Sequence, residues 1–487
     1  MFQRKSIEQL LLEAGASGEG SLKRSLSSFN LVALGIGAII GAGLFSLTGI
    51  AAAENAGPAV TISFVLASVA CAFAGLCYAE FASMIPVAGS AYTYSYATMG
   101  EFMAWIIGWD LVLEYALGAA TVAVSWSRYL LEFLHKYDLS LPHQLVVSPF
   151  ETVKLGDGTV IEGGLVNLPA IIIVSLLSLV LIRGTKESAT MNNILVILKV
   201  AVVLIFIALG WSHINPDNYD PYIPANTGQF EHFGWTGIST GAAVVFFAFI
   251  GFDAVSTAAQ EAKNPQKGMP IGILGSLVIC TILYVLFAHV MTGLVKYTEF
   301  AGDAKPAATA FAVTGYSFLQ DALIIAILCG YTSVILVMLM GQSRVFYTMS
   351  KDGLLPAFFC SVHKKFHTPW KTNLFFLVFV SLFAGFVPVS DLGHMVSIGT
   401  LFAFVLVCIG VMVMRRTLPH AVRPFRTPLV PFVPLMGIAV CIYLMYSLPS
   451  ESWVRLFVWM TLGVVIYFAY GRKHSKIHEV VDEKIVE

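Results

Sequence analysis

The sequence predicts an all-α integral membrane protein with twelve transmembrane helices, arranged as a 5+5 inverted repeat followed by two C-terminal helices. The chain is 57% hydrophobic and only 12% charged, whereas an ordinary soluble domain is about 25% charged. Its mean hydropathy of +0.80 also indicates a surface that only a bilayer can solvate. Within this apolar chain, two of the long hydrophobic stretches are interrupted at their centres by residues that disfavour a helix.

A helix needs about 20 apolar residues to cross the hydrocarbon core of a bilayer. The predicted spans are 28–53, 57–84, 99–130, 166–182, 190–211, 234–260, 270–294, 309–347, 372–388, 394–414, 428–447 and 453–470. The fourth and fifth spans are separated only by the polar stretch Arg183-Gly184-Thr185-Lys186-Glu187.

The basic residues predict the orientation of these spans. When both termini are placed in the cytoplasm, only six basic residues fall on the outer side, namely Arg128, Lys136, Lys154, Lys296, Lys305 and Arg455. Cytoplasmic loops of membrane proteins are enriched in Lys and Arg. We therefore expect a multi-pass protein of the inner or plasma membrane with both termini cytoplasmic, which requires an even number of spans.

The two interrupted stretches are the first and sixth spans. The first is broken around Gly41-Ala42-Gly43, and the sixth around Phe246 to Gly251. The first span runs outward and the sixth inward, so a five-helix unit that starts at the sixth is inverted relative to the first unit. The predicted units are a cytoplasmic segment 1–27, a first repeat 28–211, a second repeat 234–414, two further helices within 428–470 and a cytoplasmic tail 471–487.

A broken helix exposes N–H groups at the start of one half and C=O groups at the end of the other. The N–H groups around Gly41-Ala42-Gly43 suit a carboxylate, and the carbonyls of Ile39, Ile40, Phe246 and Phe249 suit an ammonium group. A site with both features matches the zwitterion of an amino acid. An alternative is that the glycines only allow close helix packing, because they form a small-xxx-small pattern.

The predicted substrate-binding residues lie at the two breaks and on the eighth span. They are Ile39, Ile40, Gly41, Ala42, Gly43, Phe246, Phe247, Ala248, Phe249, Ile250, Cys329 and Ser333. Among the aromatic residues, Phe247 or Phe246 is the first choice for a lid over the substrate, although both residues are also compatible with simple bundle packing. The sequence does not select between small neutral and cationic substrates.

Two ionisable residues lie near the middle of predicted spans, where a charge costs at least ~2.5–3.5 kcal/mol. Lys199 lies in the fifth span, and burial of its ammonium favours loss of a proton, so it is predicted to carry the coupling proton. Glu114 in the third span is a second candidate. The alternatives are a static pairing of Lys199 and a neutral, hydrogen-bonded Glu114. Asp110 and Asp253 are interpreted as structural.

Other classes of protein are disfavoured. The net charge of -1 provides no basic face for nucleic acid. The seven cysteines form no C-x-x-C pair, so we expect neither a disulfide framework nor a metal site. A membrane enzyme needs a convergent catalytic constellation, and a channel needs repeated filter loops or charged rings. Neither pattern is visible, and no cofactor is expected besides the proton.

The chain resembles a bacterial member of the amino acid–polyamine–organocation superfamily, near its cationic amino acid transporter branch. The matching stretches are Gly35 to Phe45, Ala56-Gly57-Pro58, Cys77 to Pro86, Gly89-Ser90-Ala91-Tyr92, Phe246 to Asp253, Glu261 to Pro265, Gly341-Gln342-Ser343-Arg344 and Arg423-Pro424-Phe425-Arg426. They extend over nearly the whole chain and are specific as a set.

The resemblance implies a LeuT-type fold, alternating access and transport of an L-amino acid. In sodium-coupled relatives an ion lies between the first and fifth helices, and the ammonium of Lys199 is expected to take that place. We therefore expect a proton-coupled importer that contacts membrane lipid and needs no obligate protein partner. An amino acid exchanger without net proton use is the alternative.

Overall fold

The computed structural model describes residues 3–5, 26–87, 89–139, 141–154, 160–183, 189–303, 305–366 and 368–477. Within these residues, eight helical stretches are long and apolar enough to cross a membrane, and four shorter apolar helices accompany them. The chain is therefore a multi-pass, predominantly helical membrane protein. Most of the predicted segments 1–27 and 471–487, and residues 184–187 of the predicted polar stretch, lie outside the described residues.

The helices are joined by connections of very different length, the longest being 136–167 and 212–233. They are α1 (Ser28–Ile39), α2 (Thr48–Ala51, flanked by the π-helical turns Gly43–Leu47 and Ala52–Ala56), α3 (Val60–Met84), α4 (Ser90–Thr98), α5 (Glu101–Val112), α6 (Gly118–His135, joined to α5 by the π-helical turn Leu113–Leu117), α7 (Leu168–Arg183), α8 (Ala189–Trp211), α9 (Gly234–Val245), α10 (Pro265–Leu294), α11 (Pro306–Ala312), α12 (Ser317–Lys351), α13 (Trp370–Phe386), α14 (Val389–Thr417), α15 (Phe432–Tyr446) and α16 (Ser450–Ile466). The strands described, β1 (Thr152–Lys154) and β2 (Val160–Glu162), form a short antiparallel hairpin.

The first predicted interruption is confirmed between α1 and α2. The amide of Ile40 donates the last bond of α1 to the carbonyl of Ile36, at 3.0 Å. Ile40 itself is extended, with φ -71 and ψ 105. Helical structure resumes at the π-helical turn Gly43–Leu47. The last carbonyls of α1 therefore lack the partners that a continuous helix would supply.

The second predicted interruption follows α9. A 3-10 turn over Phe246–Phe249 ends where Ile250 becomes extended, with φ -61 and ψ 136. The next residue, Gly251, has a φ of +113, which glycine adopts far more readily than other residues. A second 3-10 segment, Asp253–Glu261, then leads to α10. Glycine thus permits the change of direction within an apolar stretch.

The two interruptions contact each other through their backbones. A Cβ atom added to Gly43 would lie 2.2 Å from the Cα atom of Ala248, and one added to Gly251 would lie 3.0 Å from the carbonyl of Ala38. Such distances are possible only because both residues lack side chains. The small residues therefore position the two breaks at one crossing point.

Backbone hydrogen bonding also joins the far ends of the two broken segments. The amide of Lys263, just after the segment Asp253–Glu261, donates to the carbonyl of Leu26, just before α1, at 2.9 Å. Described residues near both termini lie on one side of the molecule, because the amide of Glu101 donates to Gln3 and the Glu101 carboxylate accepts from Ser475.

We predict that Gly43→Ala destabilises the protein by about 1–3 kcal/mol, because the new methyl group overlaps the backbone of the sixth-span break. The measurement is the melting temperature of the purified protein. Gly341→Ala is the matched control, since a Cβ atom there would lie 3.7 Å from the Tyr115 ring, at ordinary contact distance. Alanine is also favoured over glycine in a helix interior. Equal melting temperatures for the two variants would contradict the close crossing.

Candidate functional site

Lys199 contacts the broken end of α1. Its Nζ atom donates to the carbonyl of Gly37 at 2.7 Å, and its side chain is buried. In a continuous helix this carbonyl would accept from the amide of Gly41. The carbonyl end of a helix also carries partial negative charge, which favours a cation. The interruption therefore creates the position that the Lys199 ammonium occupies.

Tyr284 of α10 bridges the two interruptions. Its hydroxyl lies 3.0 Å from the carbonyl of Ile39 and 2.9 Å from the carbonyl of Ala248. Each of these carbonyls belongs to a different broken segment, and both are buried. One hydroxyl thus stabilises both breaks and sets their separation. Sequence reasoning missed this residue, because a tyrosine within an apolar helix gives no sign of its partner.

Helix α12 covers the first break with residues spaced one turn apart. Gly330 lies against Lys199, since a Cβ atom there would be 3.2 Å from the lysine Cε. Val334 lies against Gly41, with its Cγ2 atom 3.3 Å from the position of an added Cβ. One turn further, Met338 lies against Gly118 of α6. This face of α12 is apolar where it meets the break.

The predicted binding residues of the two breaks are brought together. The turn that contains Gly43 contacts the turn Phe246–Phe249, and the side chains at both breaks are buried. The binding residues predicted on α12 do not lie against the breaks in this way. Cys329 is exposed, and the Ser333 hydroxyl donates within its own helix to Gly330 at 2.9 Å. Val334, which was not predicted, is the α12 residue that lies against Gly41.

The four aromatic side chains of the second break have different surroundings. The rings of Phe246 and Phe252 both pack against Phe404, at 5.6 and 5.0 Å between centroids. Phe249 packs against Tyr284 at 5.3 Å. Phe247 makes no ring–ring contact with any residue that the structure describes. Of the two predicted lid residues, Phe247 is therefore the less constrained by neighbouring rings.

The half-helix that follows the first break is anchored by hydroxyl groups. The Tyr129 hydroxyl of α6 donates to the carbonyl of Phe45 at 2.8 Å, and Ser46 shares a hydrogen bond with Tyr331 of α12 at 2.9 Å. The amide of Leu44 donates to the carbonyl of Gly41 at 3.2 Å. The amides of Ala42 and Gly43 precede this first bond, at the positive end of the half-helix dipole.

Three carboxyl groups lie in the interior between the helices. Glu114 of the π-helical turn after α5 faces Asp253, which accepts a hydrogen bond from Tyr115. Thr400 of α14 lies beside Glu114, and Asp110 lies one turn before it. All three carboxyl groups are buried. Asp253, interpreted from the sequence as structural, thus belongs to the same cluster as Glu114.

A ladder of ion pairs lies at the end of α6 opposite the termini. Arg128, Glu132 and Lys136 are spaced four residues apart and therefore share one helix face. They pair with Glu151, Lys305 and Asp321, respectively. The next residue after Lys305 is Pro306 of α11, which contacts Gly49 in the half-helix after the first break. The Glu132–Lys305 pair therefore holds α11 over that half-helix.

Two features distinguish the Glu132–Lys305 pair from its neighbour in the ladder. Its side chains are 14% and 9% exposed, whereas those of Asp321 and Lys136 are 22% and 39% exposed. Asp303 also lies close to Lys305, whose amide donates to its carboxylate at 3.0 Å. Burial raises the pKa of Asp303, against a smaller lowering by its hydrogen bonds and by Lys305. Asp303 thus keeps its proton to a higher pH than an exposed aspartate would.

On the side of the termini, Glu80 of α3 is fully buried, accepts hydrogen bonds from Arg415 and forms an ion pair with Arg423. The Nε and Nη2 atoms of Arg415 lie 2.8 Å from its carboxylate, the Nε atom of Arg423 lies 3.3 Å away, and the amide of Thr427 lies 2.8 Å away. A buried carboxylate is stable only with such compensation. Glu80 thus fastens α3 to α14 and the loop that follows it.

The sequence of this chain is similar to the sequences of known membrane transport proteins. A model of the amino acid permease family matches residues 26–468. A branched-chain amino acid permease of Bacillus subtilis (strain 168) is 47% identical, covering 98% of this chain and 99% of the relative. A methylthioribose transporter of the same organism is 41% identical over the same shares. A chloroplastic cationic amino acid transporter of Arabidopsis thaliana is 34% identical, covering 93% of this chain and 89% of the relative.

The matches extend over nearly the whole of both chains and confirm the resemblance inferred from the sequence. The family and the relatives are described as permeases and transporters, which are not enzymes. The chain therefore belongs to the amino acid permease family, within the amino acid–polyamine–organocation superfamily.

Proposed function

We propose that this protein is a secondary active transporter that imports an L-amino acid across the cell membrane by alternating access, coupled to protons. The observation that carries the proposal is the contact of two interrupted helices, with the Lys199 ammonium on the freed carbonyl of Gly37. Paired interruptions of this kind are the best pointer to a transporter's binding site.

The proposed topology has twelve spans. The first repeat covers 28–211 and the second covers 234–414, in a LeuT-type 5+5 arrangement, and two helices follow within 428–470. Both termini are proposed to be cytoplasmic. The excess of Lys and Arg on their side and the shared location of Gln3 and Ser475 beside Glu101 support this orientation.

The proposed substrate contacts are made by the backbone. The amides of Ala42 and Gly43 lie at the positive end of a half-helix and suit the substrate carboxylate. The carbonyls of Phe246 and Phe249 in the second break suit its ammonium group. Around this position the side chains of Ile40, Val334 and Phe247 are apolar and buried. An aliphatic side chain, as in a branched-chain amino acid, therefore fits better than a charged one.

We expect leucine, isoleucine or valine to raise the melting temperature of the purified protein. A ligand at ~100 times its Kd stabilises the folded state by about 2.7 kcal/mol. D-leucine is the matched control, because it has the same groups in the wrong configuration. Methylthioribose belongs in the same panel because one relative is a methylthioribose transporter. Stabilisation by methylthioribose and by none of the twenty amino acids would overturn the proposed substrate.

The proposed coupling site is Lys199. In its charged form it makes a charge-assisted hydrogen bond to Gly37, and such bonds are roughly twice as strong as neutral ones. Loss of the proton weakens this bond and releases the end of α1. Glu114 is proposed as a second site, because it is buried and its carboxyl group faces that of Asp253.

We predict that Lys199→Met abolishes accumulation driven by a pH gradient in proteoliposomes, while amino acid exchange and ligand-induced thermal stabilisation persist. Methionine keeps an unbranched side chain without the charge. Lys296→Met, in an exposed loop, is the control and should behave like the unsubstituted protein. Undiminished gradient-driven accumulation in Lys199→Met would remove the coupling role. If the unsubstituted protein takes up substrate only when the proteoliposomes contain amino acid, it is an exchanger without net proton use.

The Glu132–Lys305 pair is proposed to hold the outer side closed. We predict that Glu132→Gln increases labelling of a cysteine introduced at the buried Ser46 by an impermeant maleimide, because α11 is released. The charge-exchanged double variant Glu132→Lys/Lys305→Glu should restore low labelling. The background carries Cys329→Ser and Cys360→Ser.

Lys136→Gln serves as the control for this experiment. It removes a more exposed pair that joins α6 to α12 and leaves α11 in place, so labelling should stay near the original value. Equal labelling in Glu132→Gln and Lys136→Gln would show that the pair does not hold α11.

A further inference from the structure

From residue 353 onward, the connection between α12 and α13 and the helix that follows it carry positive charge without acidic residues. Residues 353–390 contain no Asp or Glu, yet they include Lys364, Lys365 and Lys371. Exposed apolar side chains lie among these lysines. We call Phe358, Val362, Lys364, Lys365, Trp370 and Lys371 the basic–aromatic surface. This surface extends from the middle of the α12–α13 connection into the first turn of α13. It lies on the side of the termini, because Lys5, near the N-terminus, pairs with Asp352 just after α12.

Local hydrogen bonds give the connection a defined shape. The Nδ1 atom of His363 accepts from the amides of Lys365 and Phe366, at 3.1 and 3.2 Å. The amide of His363 donates to the carbonyl of Thr368 at 2.9 Å. The Thr368 hydroxyl in turn donates to the carbonyl of Ile182, at the end of α7, at 2.7 Å. The turn thus presents Lys364 and Lys365 outward from a fixed base.

The third lysine is held by aromatic rings. The Nζ atom of Lys371 lies 5.3 Å from the ring centre of Phe358 and 5.7 Å from that of Trp370. Phe358 and Val362 are 46% and 45% exposed. Lys371 is also in the first turn of α13, where the helix dipole adds positive potential. The surface therefore combines fixed positive charge with exposed apolar groups.

This combination matches one class of ligand. A phospholipid offers a phosphate for the ammonium groups and an acyl chain for the apolar side chains. The surface continues into the outward face of α13, where Leu374, Phe375 and Val378 are 44%, 42% and 53% exposed. A soluble acidic protein would bind the lysines but would not contact the apolar outward face of α13. Lysines and aromatic residues at the end of an apolar helix are typical of the headgroup level of a membrane.

We propose that the basic–aromatic surface binds the headgroups of anionic phospholipids in the leaflet on the side of the termini. Arg183 at the end of α7, next to Ile182, adds a further positive charge to the same region. Binding there stabilises the α12–α13 connection. Because α12 also covers Gly41 and Lys199, the bound lipid stabilises the helix that closes the candidate site. This inference does not depend on which substrate is transported.

The test uses the full chain in nanodiscs of phosphatidylcholine alone or with phosphatidylglycerol at a 3:1 ratio, and it measures the gain in melting temperature that phosphatidylglycerol produces. The test variant is Lys364→Gln/Lys365→Gln/Lys371→Gln. The control, Lys263→Gln/Lys267→Gln/Lys473→Gln, removes three exposed lysines from elsewhere in the chain. Comparing gains rather than melting temperatures separates lipid binding from any direct effect of the substitutions on folding.

We expect phosphatidylglycerol to raise the melting temperatures of the unsubstituted protein and the control variant equally. In the test variant most of this increase should be lost. The apparent affinity for phosphatidylglycerol in the test variant should fall at least about tenfold, given the contribution of each lysine near a charged surface. Equal losses in both triple variants, or no gain in the unsubstituted protein, would overturn the proposal. A similar gain in phosphatidylcholine nanodiscs with sn-glycerol 1-phosphate alone would also overturn it, because the ligand would then be a free phosphate.

Discussion

The structure depends on one constraint, namely that backbone polar groups inside a bilayer must find partners within the protein. Each interrupted helix leaves several carbonyls without their normal amides. Here the partners come from other helices, as Lys199 of α8 meets Gly37 and Tyr284 of α10 meets both Ile39 and Ala248. The interruptions are therefore stable only when α8 and α10 pack against them and supply these hydrogen bonds.

This constraint explains why polar residues occur where they do in the interior. Lys199 and Tyr284 are located at the freed carbonyls, and the hydroxyls of Tyr129 and Ser46 fasten the next half-helix. Apolar residues of α12 cover the remaining side. The interior is thus polar at the crossing of the broken helices and apolar around it, which is the distribution expected of small-molecule sites.

Much of the fold could be predicted from the sequence, because long apolar runs and clustered glycines leave a direct signal. Both interruptions were predicted, and both were found within a few residues. The helix ends were less predictable, since α6 continues to His135, beyond the predicted end of its span, where apolarity no longer defines the helix.

The contacts that α12 makes with the first break are not predictable from the sequence. Sequence alone does not say which face of an apolar helix meets the break: Cys329, a predicted binding residue, is exposed, whereas Val334 lies against Gly41. The ladder of Arg128, Glu132 and Lys136 has a helical spacing, but its partners come from distant segments that no local pattern connects to it.

The backbone bond between Leu26 and Lys263 has a mechanical consequence. It joins the entrance of one broken segment to the exit of the other, although more than two hundred residues separate them in the chain. A swing of either segment alone would break this bond, at a net cost of about 0.5–1.5 kcal/mol. The bond therefore favours displacements in which the two segments move together at this end of the molecule.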